Sequence, residues 1–366
     1  MDNLATNQYT PDYTVTPGEV LEYELDLRQM SKSELSKRTG LTEKHIIGII
    51  KGKGTTQITP ETAIKLERAL GMPVDYWLNL EALYQEARAR LEEDERLEKN
   101  LDWLKRIPVQ AMIKMGWLEK HGDKTQQLDA VLRFFGIASV DQWDGLWPNV
   151  AVAYRQHNTH EIFPEAVSAW LRKGELEAAN IQCRSFDKQA FRAALDDVRP
   201  LTAEADPSRF VPALQQICAA AGVAVVFVPC LPKTGVSGAT RWVNPEKAIV
   251  QLSLRYKTND HLWFTFFHEA GHILLHGKKE LFIEGVNGMD EEKEHQANAF
   301  AELELLPKKA FMEFSGRAPL SKTAIQQFAK EVGIAPGIVV GQLQHRGLLP
   351  RTHCNDLKVR YQWAHE

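Results

Sequence analysis

The stretch Trp263-Phe264-Thr265-Phe266-Phe267-His268-Glu269-Ala270-Gly271-His272-Ile273-Leu274-Leu275 decides how the chain is read. It is an HExxH motif between apolar flanks that would bury a helix. On a helix, His268 and His272 stand one turn apart on one face, so both imidazoles reach one metal ion. Glu269 lies off that axis, where it can accept a proton from a water acidified by zinc. A tetrahedral catalytic site needs a third protein ligand and one open position. His276 comes at the next turn, but it stands about 12 Å from His268 at 1.5 Å per residue, too far to share the ion with both other histidines. The third ligand is therefore expected from another helix, and Asp290 to Leu305 offers one. Glu294, Asn298 and Ala301 share a face there. Glu294 can bind the metal, and Asn298, one turn on, can hydrogen-bond a ligand histidine from outside. Glu291 and His295 are the competing ligands in that helix.

Around the motif the pattern is mixed. Asp206-Pro207-Ser208 reads as a turn, Phe210 to Ala221 as a helix and Val223 to Val228 as a buried strand. Ala239 to Val243, a turn at Asn244-Pro245-Glu246-Lys247, and Ala248 to Ser253 read as strand, turn, strand. Helices follow to the end. Ala248 to Ser253 is expected at a sheet edge, where an extended peptide could pair with it. An oxyanion needs a further donor, and His345, after a glycine-rich turn, is the nominee. Cys230 follows the first strand; its thiolate could cap the open zinc position, against the stronger reading as a buried small hydrophobe.

Towards the start the pattern becomes helical. Residues 1–12 are polar and expected to fray. From Lys32 a helix-turn-helix is spelled out: Leu35, Leu41, Ile46 and Ile49 point inward, and small Ser36 sits where two helices approach. Gly40 marks the turn and Thr42 is a good N-cap. Between Arg28 and Gly54 stand seven Lys/Arg (Arg28, Lys32, Lys37, Arg38, Lys44, Lys51, Lys53) and two acids (Glu34, Glu43), a local surplus of +5 in a chain of net charge −4. That is the footprint of phosphate contact. The positions offered to duplex DNA are Lys32, Thr42, Glu43, Lys44, Ile47, Gly48 and Lys51. Residues 81–100 alternate many charges with a narrow apolar stripe, which reads as an amphipathic connector helix, or in a sharper reading a dimerisation helix. Residues 100–205 look helical, with breaks at Pro108, Gly136, Pro148 and Pro164.

Two resemblances join these motifs. Thr16-Pro17-Gly18-Glu19-Val20-Leu21, the helix-turn-helix, Ile58-Thr59-Pro60-Glu61-Thr62-Ala63 and Tyr76-Trp77-Leu78-Asn79-Leu80 resemble the HigA-type antitoxin branch of the XRE regulators. The resemblance covers about residues 16–85, with Glu81 standing where relatives often carry Gln. It implies a five-helix, usually dimeric, operator-binding domain that represses its own operon. HEAGH with His276, then Glu294-x-x-Ala297-Asn298-x-Phe300-Ala301 and Leu306-Pro307, resembles the ImmA/IrrE-family zinc metallopeptidases over roughly 205–350. That resemblance implies His268, His272 and Glu294 as zinc ligands, Glu269 as general base, and cleavage of a regulatory protein. Gln296 stands where relatives often have Glu.

The expected architecture is multidomain: an all-α helix-turn-helix head (13–80), a helical middle (81–205), an α+β zincin-like metallopeptidase body (206–350) and a C-terminal tail (351–366). The expected function is a DNA-binding transcriptional regulator with a zinc-dependent endopeptidase domain that responds to a signal. The alternative is a HigA-type antitoxin and autorepressor whose peptidase-like body clamps a toxin or senses a ligand without proteolysis. The expected partners are a palindromic double-stranded operator, a protein substrate or cognate toxin, and a second copy of the chain. The longest apolar run, Ile217 to Val228, is too short to span a bilayer. The first residues do not read as a secretory signal, and four scattered cysteines form no CxxC pair. A cytoplasmic protein without membrane contact is expected.

Overall fold

Four hydroxyl residues open the first helices. Thr16, Ser31, Thr42 and Thr59 each accept a hydrogen bond from a first-turn amide, starting α1 (Pro17–Leu27), α2 (Lys32–Thr39), α3 (Glu43–Lys51) and α4 (Pro60–Leu70). Thr16 completes a capping box with Glu19, whose carboxylate accepts the Thr16 amide at 2.8 Å. Gly40 takes the left-handed conformation at φ 71° that the turn between α2 and α3 requires. The computed structural model describes residues 15–52, 56–147, 163–278, 281–283, 291–316 and 319–363. Residues 1–12, Lys53, Pro148 and Asp290, which entered the sequence reading, lie outside the described residues.

The chain divides into two units, Met1–Asn100 and Leu101–Glu366. In the first, Leu21, Leu25, Leu35, Ile46, Ile49, Ala63, Leu66 and Trp77 form one core. Gly18 lets α1 lie on the end of α3: a Cβ there would stand 2.3 Å from the Ile49 carbonyl oxygen. The last helix, α5 (Val74–Lys99), runs straight through residue 80, where the head was expected to end. Its charges sit in same-helix pairs such as Arg90–Glu86 at 2.7 Å and Arg88–Glu92 at 3.3 Å. Such i,i+4 pairs each add about 0.3–0.5 kcal/mol, enough to extend a helix that propensity already favours. The apparent connector is thus the head's own helix.

The second unit takes in the expected helical middle. Its helices are α6 (Val109–Lys114), α7 (Lys124–Phe135), α8 (Asp141–Leu146), α9 (Pro164–Ala179), α10 (Lys188–Val198) and α11 (Pro207–Ala219). The strands are β1 (Val223–Phe227), β2 (Gly238–Asn244), β3 (Lys247–Leu252) and β4 (Phe282–Ile283), in the order β1-β3-β2-β4. β1 runs parallel to β3, and β2 is antiparallel to both β3 and β4. Trp170 of α9 explains why the middle is no separate domain. Its indole donates to Val228 O at 2.9 Å, and Gln251 of β3 donates back to Trp170 O at 2.7 Å. Alternation puts Ala248, Val250 and Leu252 on the other face, where they join Trp263 and Phe266 in the main core.

That other face carries α12 (Asn259–Leu275), with α13 (Glu291–Leu305), α14 (Lys308–Ser315), α15 (Lys322–Val332) and α16 (Pro336–His345) following. Almost every side chain of α12 is buried, as expected of a helix with apolar residues on all sides. The expected tail is also built in. Asn259 exchanges hydrogen bonds with the Val359 backbone at 3.0 and 3.1 Å. Lys358 pairs with buried Asp260 at 2.6 Å, and the Tyr361 ring packs on Phe210. These contacts fasten residues 358–361 to the first turn of α12.

Candidate metal centre

His268 and His272 project from α12 as the one-turn spacing requires. Their Nε2 atoms approach to 3.0 Å. Glu294 of α13 brings Oε2 to 3.3 Å from His268 Nε2 and Oε1 to 3.4 Å from His272 Nε2. Among the described residues these three form the one cluster with metal-ligand geometry, their ligand atoms all within 4.8 Å of one another. Glu291 and His295, the competing ligands, are exposed on α13 and stay out of it. The close approach of the two helices rests on small residues. A Cβ on Gly271 would stand 3.1 Å from the Phe300 ring and 3.3 Å from the Ala297 backbone.

The donor set fits zinc. Two imidazoles and one carboxylate are a three-ligand catalytic set with a fourth position left over. Asn298 Oδ1 lies 3.0 Å from His268 Nδ1. An amide oxygen only accepts, so that nitrogen carries the proton and the Nε2 lone pair faces the cluster. Burial pushes the Glu294 carboxyl up, but its pairing with the His268 and His272 rings outweighs this and lowers it to about 2. The carboxylate is therefore ionised. Burial lowers the His272 imidazole below its ordinary value, against the Glu294 hydrogen bond that raises it. A neutral imidazole beside an ionised carboxylate is what a cation needs.

Glu269 is fully buried on the side of α12 that meets β2. Thr240 Oγ1 donates to the Glu269 carbonyl at 3.0 Å. Gly238 makes room for the side chain: a Cβ there would stand 2.8 Å from Oε1 and 2.5 Å from Thr265 Cγ2. On the opposite flank Phe282 of β4 stacks on the His272 ring at 4.0 Å between centroids.

Two expectations are corrected. β3 is not a sheet edge; it lies between β1 and β2, so its backbone is already paired on both sides and cannot receive a substrate strand. His345 does not follow a turn but ends α16, exposed. Its neighbour Arg346 pairs with Glu302, about 12 Å along α13 from Glu294 at 1.5 Å per residue. No hydrogen bond among the described residues ties His345 to the cluster. The Cys230 thiol donates to Val236 O at 3.2 Å and does not join the histidines.

Comparison with known proteins agrees with this division. Residues 21–77 match the family model described as helix-turn-helix, and residues 218–340 match a peptidase-family model described as the IrrE N-terminal-like domain. This chain carries a helix-turn-helix domain ahead of an IrrE N-terminal-like domain. The matched span of the IrrE-like domain holds His268, Glu269, His272 and Glu294, whereas His345 falls beyond it. A solved structure of an addiction module antidote protein of the HigA family from Coxiella burnetii is 31% identical, over 24% of this chain and 92% of its own, with a TM-score of 0.22. No curated protein compared with the chain matches it.

In the helix-turn-helix domain the expected DNA positions divide. Glu43, Lys44 and Lys51 are exposed on α3. The other four have duties within the domain. Thr42 Oγ1 accepts the His45 amide at 3.2 Å, and Lys32 pairs with Glu22 at 3.0 Å. Ile47 is half-buried, and Gly48 faces Thr56, where a Cβ would stand 2.7 Å from Oγ1. In the IrrE-like domain two residues that the sequence reading left without a role, His276 and Gln296, lie beside the cluster. His276 Nδ1 is 2.9 Å from His272 Nδ1, and His276 Nε2 is 3.2 Å from Gln296 Oε1. Eight residues from His268, His276 is too far to share the ion with both histidines, but four residues from His272 it lies against that ring.

Proposed function

We propose that this chain is a DNA-binding transcriptional regulator whose IrrE-like domain is a zinc-dependent endopeptidase acting on a regulatory protein when a signal arrives. The observation that carries this reading is the convergence of His268 Nε2, His272 Nε2 and the Glu294 carboxylate beside Glu269. When bound, zinc supplies Lewis acidity, polarising a peptide carbonyl and acidifying a water. His268, His272 and Glu294 would hold the ion. Glu269 moves the proton, taking it from the attacking water and handing it to the leaving amine nitrogen. The complete burial of Glu269 supports an activity held low until the site opens. Lys44 and Lys51, exposed on α3, and Lys37, exposed on α2, are the cations best placed for DNA phosphates. No helix of the described residues is long and apolar enough to cross a membrane, which suits a regulator working on cytoplasmic DNA. A homodimer on a palindromic operator belongs to the same reading.

Glu269→Gln tests it. New protein N-termini are compared in cells producing wild type or the variant, with operator binding measured alongside. General acid–base groups contribute about 10²–10⁴-fold, so the wild-type cleavage products should vanish while DNA binding stays the same. Identical N-termini in the two strains, under conditions that switch the regulated genes, would reject proteolysis. A repressor whose body only clamps a toxin would behave in that way.

A further inference from the structure

His276, which caps the C-terminal end of α12, is a histidine that the proposed zinc chemistry leaves over. Its Nδ1 faces His272 Nδ1 at 2.9 Å, a distance that holds one proton between the rings. Two arrangements satisfy it. If His276 donates, the His272 proton sits on Nε2, pointing at His268 and Glu294, and no lone pair is left for a metal. If His272 donates from Nδ1, its Nε2 lone pair faces the cluster, and His276 carries its own proton on Nε2.

The groups beyond His276 choose between them. Its Nε2 lies 3.2 Å from Gln296 Oε1. The orientation of that amide is set in turn, because Gln296 Nε2 lies 3.2 Å from Glu292 Oε1. An ionised carboxylate only accepts, so the Gln296 NH2 turns to Glu292 and its oxygen turns to His276. Donation then runs one way, from His272 to His276 to Gln296 to Glu292. Phe282, 2% exposed, covers both rings, with centroids 4.0 Å from His272 and 5.2 Å from His276. That cover leaves the His272 ring, itself 1% exposed, no water as a competing partner, while half-buried His276 meets Gln296 nearer the surface.

We propose that Glu292, Gln296 and His276 are positioning residues: a one-way hydrogen-bond relay that fixes His272 in its Nδ1-protonated tautomer and so presents Nε2 to zinc. Glu292 and Gln296 are exposed on α13, yet they set the direction of the proton on a metal ligand. The relay rests on the zinc reading of His268, His272 and Glu294; before any ion binds it must outweigh Glu294 Oε1 and His268 Nε2, which lie 3.4 and 3.0 Å from His272 Nε2 and would accept a proton there.

The test uses the full chain and zinc(II) alone. In the chelator-stripped protein, imidazole 15N–1H correlation should show His272 protonated on Nδ1 and His276 on Nε2. Zinc affinity is then read by competition with a chromophoric chelator. Loss of an outer partner typically costs about 10–100-fold in metal affinity, so His276→Ala and Gln296→Leu should weaken zinc by that factor. Gln296→Glu keeps an acceptor and should restore wild-type affinity. Gln296→Lys offers only donors and should turn the His276 proton to Nδ1 and weaken zinc furthest. Unchanged circular dichroism in these surface variants separates the effect from misfolding. Finding His276 protonated on Nδ1 in the wild type, or zinc affinity in His276→Ala and Gln296→Lys within twofold of wild type, overturns the relay. His268→Ala is the control for the site itself. If wild type and His268→Ala are equally without zinc, the zinc reading fails, and the tautomers of the metal-free protein still decide the relay.

Discussion

His268 and Glu294 meet across two helices because Asn298 and Glu294 sit one turn apart on the same face of α13. Asn298 Oδ1 takes the proton side of the His268 ring at 3.0 Å, and Glu294 meets its Nε2 at 3.3 Å. The amide thus holds the ring in the orientation and tautomer that a metal requires. Asn298→Ala should leave the fold intact and lower zinc affinity about 10–100-fold, measured by chelator competition; unchanged affinity would leave Asn298 as packing only. These residues were legible in the sequence because each relation is local. HExxH and Glu294-x-x-x-Asn298 are single-turn spacings, and helix geometry alone places their partners. Lys32 and Gly48 have neighbours inside the head that local spacing does not reveal. Their actual neighbours, Glu22 and Thr56, come from other segments of the head, which a recognition-helix template does not contain.

Among the elements, the pairing of α12 with α13 decides whether there is a site at all. Gly271 and Ala297 are the contact that lets the helices close, with Phe300 and the Ala297 backbone 3.1 and 3.3 Å from where a Cβ would be. Gly271→Val should therefore push α13 away. Overpacking of this kind costs about 1–3 kcal/mol, and Glu294 and Asn298 would withdraw from His268 together. A lowered melting temperature and loss of zinc binding are expected in the same variant; full zinc affinity would show that the helices need not touch there. The glycine within HEAGH can be read as a breaker inside a helix, whereas its use is close approach. Strand order was less legible than strand position. Ala248 to Ser253 reads correctly as a strand, and β3 occupies Lys247–Leu252. Its continuous apolar burial already points to the middle of a sheet. Which strands flank it depends on the β1–β3 crossover, a long-range pairing that local pattern does not encode. The C-terminal segment was misread as a tail because its anchor points, Asn259, Asp260 and Lys257, lie some 100 residues away.

For the whole molecule, two units in one chain, Met1–Asn100 and Leu101–Glu366, hold the helix-turn-helix match and the IrrE-like match respectively. α5 runs past residue 80 to Lys99, held by i,i+4 pairing, and the two units part at Asn100. Zinc should act on one unit alone. A ligand present at 100 times its dissociation constant stabilises the state it binds by about 2.7 kcal/mol. Scanning calorimetry should therefore show chelation lowering the transition of the IrrE-like unit while that of the helix-turn-helix unit stays in place. A shift of both transitions, or of neither, would contradict that division. The central claim, that His268, His272 and Glu294 hold a zinc ion, is tested most directly by elemental analysis of wild type and Glu294→Ala purified without added metal. About one zinc per wild-type chain, and far less in the variant, is expected. A folded wild type that contains no zinc and takes up none when it is supplied would contradict the claim.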